Sequence, residues 1–262
     1  MNKIETIENI RLVSIPAGSF QMGHVYKPDP SLPDRVNAYY PDEQPVHKVA
    51  VKAFQLGETP VTQGQYQKIA GVNFSTFTGD DTLPVTNLGP LEIILFCNKL
   101  SKTAGLPLCY DEKTRKCDFT KNGFRMPTEK EWEYSCRAGT TTLFYTGNTE
   151  KDLDKAGWYL GNSGGRTHPV AKKQPNAWGL YDMHGNVFEF CDDDWNPAMA
   201  YNQYLPESAH PTFNYYHSLN VARGGSWFSE PSVCRSAARS CFCSWPNINQ
   251  SYYMGFRVAR SG

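Results

Sequence analysis

The chain has 262 residues, with 26 Lys and Arg against 26 Asp and Glu, 13% aromatic residues and eight cysteines. A net charge of zero removes the electropositive surface on which nucleic-acid backbones and anionic membranes bind, so neither is an expected partner. No apolar run approaches the ~20 residues of a membrane span, and the N-terminal segment lacks the ~7–15-residue apolar core of a secretory signal.

Three segments carry helix signals, and capping residues mark their ends. Thr62 is a candidate N-cap for the first, and Gly105 ends the helical spacing of apolar residues in the second. Thr128 stands three residues before Glu131, as in a capping box, and Gly139 is the expected stop of the third. The predicted helices are residues 61–70, 91–104 and 127–137.

Strand signals are short, and the tracts between them are long and rich in Gly, Pro, Asn and Asp. Loops of such length are uncommon in compact domains unless they are functional. Aromatic residues continue through every loop, so no stretch has the composition of a linker. The pattern predicts one α+β domain over residues 1–262, loop-rich with little regular secondary structure. The predicted strands are residues 11–15, 46–56, 108–111 facing 116–119, 221–226 and 255–260.

The cysteines and acidic residues suggest no catalytic or metal centre on their own. Eight cysteines in 262 residues are too few to require a disulfide framework. Cys109 and Cys117 flank a turn-like stretch, which predicts either a cross-strand disulfide or two packed thiols. Cys241 and Cys243 form a lone C-x-C pair, for which simple thiols are favoured over a zinc site. The acidic run 192–194 could bind a hard cation, but a solvated acidic loop is favoured.

Nine motifs occur in an order typical of one protein family. They include GFRMPTEKEWEY, GLYDMHGNVFEF, RGGSW, CRSAAR and GFRV, and they lie at residues 13–23, 43–49, 58–62, 84–87, 123–134, 179–190, 223–227, 234–239 and 255–258. From residue 12 almost to the C-terminus, the chain thus resembles the formylglycine-generating enzyme (sulfatase-modifying factor) family. The resemblance implies a C-type lectin fold of the formylglycine-generating-enzyme type.

The resemblance also implies structural roles for several motif residues. Gly185 and the pair 224–225 would allow close backbone approach. Arg125, Arg235 and Arg239 would be buried guanidinium groups held by carboxylates or carbonyls.

The enzymes of this family use two cysteines between the GGS and CRSAAR motifs. Ser229 stands at the first position, the chain offers no cysteine at the second, and Cys234 aligns with a non-catalytic position. A hydroxyl does not supply thiolate chemistry, so the chain is expected not to be an enzyme. The alternative is a formylglycine-generating-type cysteine oxidase that acts on sulfatases through a displaced pair, Cys241 and Cys243.

The family also carries calcium sites, one of them at the motif that contains Asn186 and Glu189. Both residues keep oxygen ligands at compatible spacing. The resemblance therefore implies a structural Ca²⁺ at Asn186 and Glu189 as the one optional cofactor, and no cofactor is required.

The segment 228–253 has an unusual composition. Of its 26 residues only Glu230, Arg235 and Arg239 are charged, and five are aromatic. A core segment would also be apolar, but it would show a period of about 2 or about 3.6 residues, and this segment shows neither. Rigid aromatic residues among small hydrogen-bonding ones are typical of an antibody-like binding surface.

This composition within the RGGSW, CRSAAR and GFRV frame resembles the variable region, about 223–258, of diversity-generating-retroelement proteins. An AAC codon with randomised adenines encodes the residue types that dominate here, but it does not encode Glu230, Gln250 or Trp245. The resemblance implies a non-catalytic ligand-binding or display protein. The predicted binding residues are Phe228, Ser229, Glu230, Ser232, Val233, Ala238, Ser240, Cys241, Phe242, Cys243, Ser244, Trp245, Ile248, Gln250, Ser251, Tyr252 and Tyr253.

The expected partner is an unidentified ligand, a protein or another cell-surface molecule, bound by a monomer. Display proteins of this kind act at the cell surface, commonly as lipoproteins, so a cell-surface or extracellular location is expected, with the signal absent from this sequence. If Met1 is the native start, the expected location is the cytoplasm. A purely structural lectin-like domain in a larger assembly is a third interpretation.

Overall fold

The structure is a computed structural model, and it describes residues 4–25, 27, 29, 31–33, 35–36, 40–195, 219–243 and 252–261. In these residues no helix has the length and apolar character to cross a bilayer. The helices are α1 (Gln63–Ala70), α2 (Pro90–Thr103), α3 (Glu129–Arg137) and α4 (Glu150–Ala156). The strands are β1 (Ile4–Ile7), β2 (Ile10–Ile15), β3 (Gly18–Met22), β4 (His47–Val51), β5 (Phe54–Gly57), β6 (Phe124–Arg125), β7 (Phe188–Asp194), β8 (Leu219–Arg223), β9 (Arg239–Cys243), β10 (Met254–Gly255) and β11 (Ala259–Ser261).

The larger sheet has the order β1-β2-β5-β11-β6, and each neighbouring pair is antiparallel. Its central strand, β5, places Leu56 opposite both Val13 of β2 and Ala259 of β11. All three side chains are buried, because residues directly opposite each other on neighbouring strands point to the same side of the sheet. β11 thus pairs with β5 on one side and β6 on the other, although it follows both by more than 100 residues in the sequence.

The second sheet, β10-β7-β8-β9, frames the segment 228–253: β8 precedes the segment, β9 lies within it and β10 follows it directly. β8 pairs antiparallel with β7 and β9, and β10 pairs parallel with β7. β9 and β10 therefore lie on opposite edges of one sheet and run in the same direction. A separate pair, β3 and β4, packs against α3.

The three predicted helices are confirmed, and local capping explains them. Thr128 Oγ1 accepts a hydrogen bond from Glu131 N at 3.4 Å, and Glu131 Oε2 accepts one from Thr128 N at 2.8 Å. After α3 the backbone turns left-handed at Ala138 and Gly139, with φ of 44° and 93°. Thr62 caps α1 in the same way.

Several predicted strands differ in the structure because their halves pair with different partners. The predicted strand 46–56 is two strands, since β4 pairs with β3 and β5 with β2. The predicted strand 255–260 likewise divides into β10 and β11. The predicted hairpin of 108–111 and 116–119 contains a single antiparallel bridge, Tyr110 to Cys117.

Arginine–glutamate pairs tie distant segments together inside the protein. The prediction of buried guanidinium groups is confirmed for Arg125 and Arg235, and Arg239 is half-buried. Removing one member of a buried pair typically costs about 3–5 kcal/mol, because the remaining charge is left uncompensated. The pairs are Arg125–Glu131, Arg223–Glu133, Arg235–Glu43, Arg239–Glu129 and Arg257–Glu189.

Candidate ligand-binding site

Trp227 is the centre of a group of aromatic side chains at the protein surface. Its ring centroid lies 5.4 Å from that of Phe228, 5.8 Å from Tyr252 and 5.6 Å from Phe77, and Tyr252 stacks edge-on to Tyr253 at 5.1 Å. Trp227 itself is buried, whereas Phe228 is 56% exposed. Phe77, Tyr252 and Tyr253 are half-buried. We call these five residues the aromatic cluster; they combine a rigid buried base with exposed ring area.

A tight turn presents Phe228 to solvent. Ser229 N donates to Ser226 O at 3.0 Å, and Ser229 Oγ accepts from Ser226 N at 2.9 Å. Phe228 N donates to Ser226 Oγ at 3.3 Å. The Ser229 side chain is only 8% exposed because it closes this turn. The prediction that Ser229 lies on the exposed binding surface is therefore wrong.

Two further predicted binding residues are also buried. Ser232 Oγ shares a hydrogen bond with the Tyr40 hydroxyl at 3.2 Å, and Ser232 N donates to Arg35 O at 2.7 Å. The carbonyl oxygen of Ala238 accepts from Arg223 Nη1 at 2.6 Å. Ser232 and Ala238 thus belong to the frame, which corrects their predicted exposure.

The remaining predicted residues divide by exposure. Phe228, Glu230 and Cys241 are exposed, and Val233, Ser240, Tyr252 and Tyr253 are half-buried. The backbone of Phe242 and Cys243 continues β9 opposite β8. The predicted residues outside the described part of the chain are Ser244, Trp245, Ile248, Gln250 and Ser251.

The predicted close approach at the motif glycines is confirmed, and at Gly225 the neighbour is Cys234. Gly225 has a φ of 70°, and a Cβ added there would lie 2.5 Å from Cys234 Sγ. Cys234 is fully buried, and burial raises the pKa of its thiol. Burial likewise raises the pKa of Cys136 to about 12. Neither thiol supplies a thiolate at neutral pH.

Cys109 and Cys117 are two packed thiols, which decides between the two predicted alternatives. Neither forms a disulfide. A hydrogen bond from Cys117 lowers the pKa of Cys109 to about 7. Cys109 is buried and Cys117 half-buried, and neither lines the aromatic cluster.

Asn186 and Glu189 do not fit a calcium ion. Both oxygens of Glu189 accept from Arg257, at 2.6 Å each, and Oε2 also accepts from Trp132 Nε1 at 2.7 Å. Asn186 Oδ1 accepts from His168 N, and Asn186 Nδ2 donates to His168 O, both at 3.0 Å. The Arg257 guanidinium already neutralises the Glu189 carboxylate, and the Asn186 amide holds the backbone of His168. The predicted calcium ligands therefore have structural roles instead.

The acidic run 192–194 lies in β7, so its prediction as a solvated loop is wrong. Asp192 accepts from the Tyr110 hydroxyl at 2.7 Å, and Asp193 accepts from Glu129 N at 2.6 Å. Burial raises the pKa of Asp192 to about 7 and that of Asp193 to about 6. Within the described residues, no group of three or more His, Cys, Asp or Glu side chains could hold a metal ion.

Sequence reasoning missed Phe77, which belongs to the aromatic cluster, and two residues beside the cluster, Arg166 and Leu160. Phe77 contacts Trp227 edge-on, and the Arg166 guanidinium lies over the Phe77 ring with Cζ 5.6 Å from the centroid. Leu160, 45% exposed, donates its backbone N–H to Ser229 O at 3.0 Å. These contacts join residues far apart in the chain. The only local signal is the Gly164-Gly165 turn before Arg166.

A separate cavity of about 700 Å³ lies between β3 and α3. Phe20, Tyr134 and Trp178 form its aromatic wall, and His24 and Arg137 also line it. Burial and the neighbouring arginines lower the pKa of His24 to about 4, so its ring is neutral near pH 7. Of the predicted binding residues whose side chains the structure describes, none lines this cavity.

Comparison with known proteins identifies the family. A family model described as "Sulfatase-modifying factor enzyme 1-like domain" matches residues 2–262. The sequence is 28% identical to the chaperone protein LppX of Paenibacillus barcinonensis, over 69% of this chain and 71% of that protein. It is 27% identical to the formylglycine-generating enzyme of Mycobacterium tuberculosis, over 87% of this chain and 91% of that enzyme.

A solved structure is similar over its whole length. It is Treponema denticola variable protein 1, which is 29% identical in sequence and superposes with a TM-score of 0.76. The match covers 100% of this chain and 99% of that protein. The match confirms the predicted α+β fold of the formylglycine-generating-enzyme type. Because the family model spans nearly every residue, the chain belongs to the sulfatase-modifying factor (formylglycine-generating enzyme) family.

Proposed function

We propose that the protein is a non-catalytic binding protein whose site is formed by the exposed residues of segment 228–253. The aromatic cluster carries this proposal: Phe228 is 56% exposed on a buried Trp227 base, where it is available to a ligand but contributes little to the core. Full-length similarity to a protein named as a variable protein supports a binding role on this fold.

The cluster suits recognition by burial of ring area. Fully burying an aromatic side chain contributes about 1.5–3 kcal/mol. Phe228 and the half-buried Tyr252 and Tyr253 add rigid rings whose ordering costs little side-chain entropy. Few charges lie in the segment, so little desolvation opposes the binding of a matching surface.

We further propose that the exposed residues of this segment vary among related genes through a diversity-generating retroelement. The burial pattern divides the segment into two classes. Ser229, Ser232 and Ala238 hold the frame and would stay constant. Variation would fall on the exposed and half-buried residues Phe228, Glu230, Val233, Ser240, Cys241, Tyr252 and Tyr253, and on the other predicted residues, Phe242 and Cys243 among them, whose side chains the structure does not describe.

Sequencing this gene in independent isolates of its source organism tests the division. We expect substitutions in the exposed class, none in the frame class, and a nearby near-duplicate DNA repeat that differs only at adenines. Substitutions spread evenly over frame and exposed positions would contradict the proposal. A constant segment without a template repeat would favour a purely structural domain.

The second candidate is a cysteine oxidase, favoured by membership in an enzyme-containing family and by the exposed Cys241 thiol. Against it, the Ser229 hydroxyl is buried and already hydrogen-bonded to Ser226. The test incubates the protein with a sulfatase-derived cysteine peptide, Cu(I) and oxygen, with the Mycobacterium tuberculosis enzyme as positive control. We expect no formylglycine above the peptide-alone background; turnover lost in Cys241→Ser would establish the oxidase.

We also propose that the protein acts as a monomer at the cell surface or outside the cell, without a required cofactor. Protease treatment of intact cells should degrade it while a cytoplasmic marker survives. Sedimentation should give the mass of one 29.5 kDa chain. A protected protein would instead support the cytoplasmic alternative.

A further inference from the structure

We propose that Arg166 and Phe77 form a carboxylate-binding corner of the binding site, which takes an Asp or Glu side chain next to an aromatic residue of a protein partner. The inference rests on the proposed function of the aromatic cluster. It adds a part of the site that lies outside segment 228–253 and that would stay constant when that segment varies.

The Arg166 guanidinium is exposed and preorganised. Its Cζ lies over the Phe77 ring, 5.6 Å from the ring centroid, and the Phe77 ring meets Trp227 edge-on at a centroid distance of 5.6 Å and an angle of 80°. None of the ion pairs found within the described residues contains Arg166. Arg166 is exposed, and the fork of N–H donors on a guanidinium suits bidentate binding of a carboxylate.

The loop that carries Arg166 is fastened directly to the aromatic cluster. Ser163 Oγ donates to Trp227 O at 2.7 Å, and His168 Nε2 donates to Ser163 O at 2.7 Å. Asn186 then holds His168 through two hydrogen bonds of 3.0 Å. Arg166 thus lies between two anchored residues, and its backbone is fixed relative to Trp227.

Phe77 is fixed from the other side of the site. Gln63 Nε2 donates to Phe77 O at 2.7 Å, and Asn73 Nδ2 donates to Gln63 Oε1 at 2.9 Å. Thr86 N donates to Ser75 Oγ at 3.0 Å. These bonds order the loop that follows α1. A ring held in this way costs little entropy when a ligand packs on it.

The dimensions and charge of the corner indicate a peptide. The site is a row of four side chains, Arg166, Phe77, Trp227 and Phe228. The Arg166 Cζ and each ring centroid lie 5.4–5.6 Å from the next ring centroid in the row. The Arg166 guanidinium lies 5.6 Å from the Phe77 ring, so the side chains of one short peptide segment can contact both. The uncharged rings bury an aromatic side chain, and the cation pairs with an acidic one. A protein partner supplies both within a few residues.

The test uses two capped peptides that differ only in charge, acetyl-Asp-Phe-Asp-amide and acetyl-Asn-Phe-Asn-amide. Binding to ¹⁵N-labelled protein is followed by the shift of the Trp227 indole N–H, assigned with Trp227→Phe. We expect the acidic peptide to bind about tenfold more tightly at low salt, as for a charge-assisted hydrogen-bonded pair. Arg166→Gln should remove this difference while neutral-peptide binding remains, and Arg166→Lys should keep part of it.

The control is Arg115→Gln, which removes the same charge at an exposed site remote from the cluster and should leave both affinities unchanged. Equal affinities of the two peptides for the unaltered protein, or a preference that survives Arg166→Gln, would overturn the carboxylate corner and leave the proposed binding function standing. Failure of both peptides to shift Trp227 would overturn the inference and count against the aromatic cluster as a recognition surface.

Discussion

Replacing Glu189 by Gln should destabilise the protein strongly, because it leaves the buried Arg257 cation without its counter-charge. Arg257 is fully buried and makes two hydrogen bonds of 2.6 Å to the carboxylate, besides bonds of 2.9 Å to the carbonyls of Gly57 and Tyr181. Breaking such a pair from one side costs about 3–5 kcal/mol. Glu189→Gln keeps the side-chain shape, so packing around Trp132 should change little.

Urea unfolding followed by tryptophan fluorescence measures this loss. The matched control is Arg11→Gln, which breaks the pair of the exposed Arg11 with the half-buried Glu58 and should cost less than about 1 kcal/mol. A loss below about 1 kcal/mol for Glu189→Gln would refute the reasoning from burial.

The same experiment separates an ion pair from a calcium site. The structure implies equal unfolding curves in excess calcium and in EGTA for both proteins. A Ca²⁺ ligand at Glu189 would instead stabilise the unaltered protein by about 2.7 kcal/mol at a free concentration of 100 times Kd, and Glu189→Gln would abolish that gain. A calcium-dependent difference would therefore restore the metal interpretation.

Three further substitutions or probes test other features. Gly225→Ala should cost about 2–4 kcal/mol in urea unfolding, because its φ of 70° and the Cys234 contact are both unfavourable to a Cβ; Gly71→Ala, with open space at a φ of 88°, should cost less. Burial lowers the pKa of His184 in the folded protein to about 3, compared with 6.5 in the unfolded chain. The neutral buried ring therefore stabilises the fold above pH 6.5, and this contribution is lost as the pH falls toward 3. The destabilisation by His184→Gln should hence shrink by about 2–3 kcal/mol between pH ~7 and ~4.5, and an unchanged difference would contradict a neutral buried ring. Among the cysteines whose side chains the structure describes, Cys241 should react first with Ellman's reagent in the native protein, because the others are buried or half-buried; mass spectrometry of peptides would reveal any other order.

Helices α1, α2 and α3 were predictable from the sequence because their capping interactions lie within a few residues. The strand boundaries were not, because they depend on which distant strand each segment pairs with. Thr62 and Thr128 mark their helices because a cap and its N–H donors lie within three residues. The break between β4 and β5 depends instead on two different sheets. No periodicity within 46–56 contains that information.

The binding site divides in the same way. The low charge and aromatic content of segment 228–253 indicate where a surface lies, and Phe228 confirms exposure there. The burial of Ser229 follows from its hydrogen bonds to Ser226, and that of Ser232 from its contact with Tyr40. A composition argument treats these serines as equivalent to exposed ones, because the contacts that bury them are tertiary.

The position of β11 has a consequence for biosynthesis. This strand completes the larger sheet between β5 and β6, and it follows segment 228–253 in the chain, as does Arg257. A frameshift or stop codon within that segment removes both, so the truncated product keeps two unpaired strand edges and an uncompensated buried Glu189. Such edges favour aggregation and proteolysis over folding. Only chains translated in frame through the whole segment contain β11 and Arg257. The position of these residues after the segment therefore means that only such chains can fold.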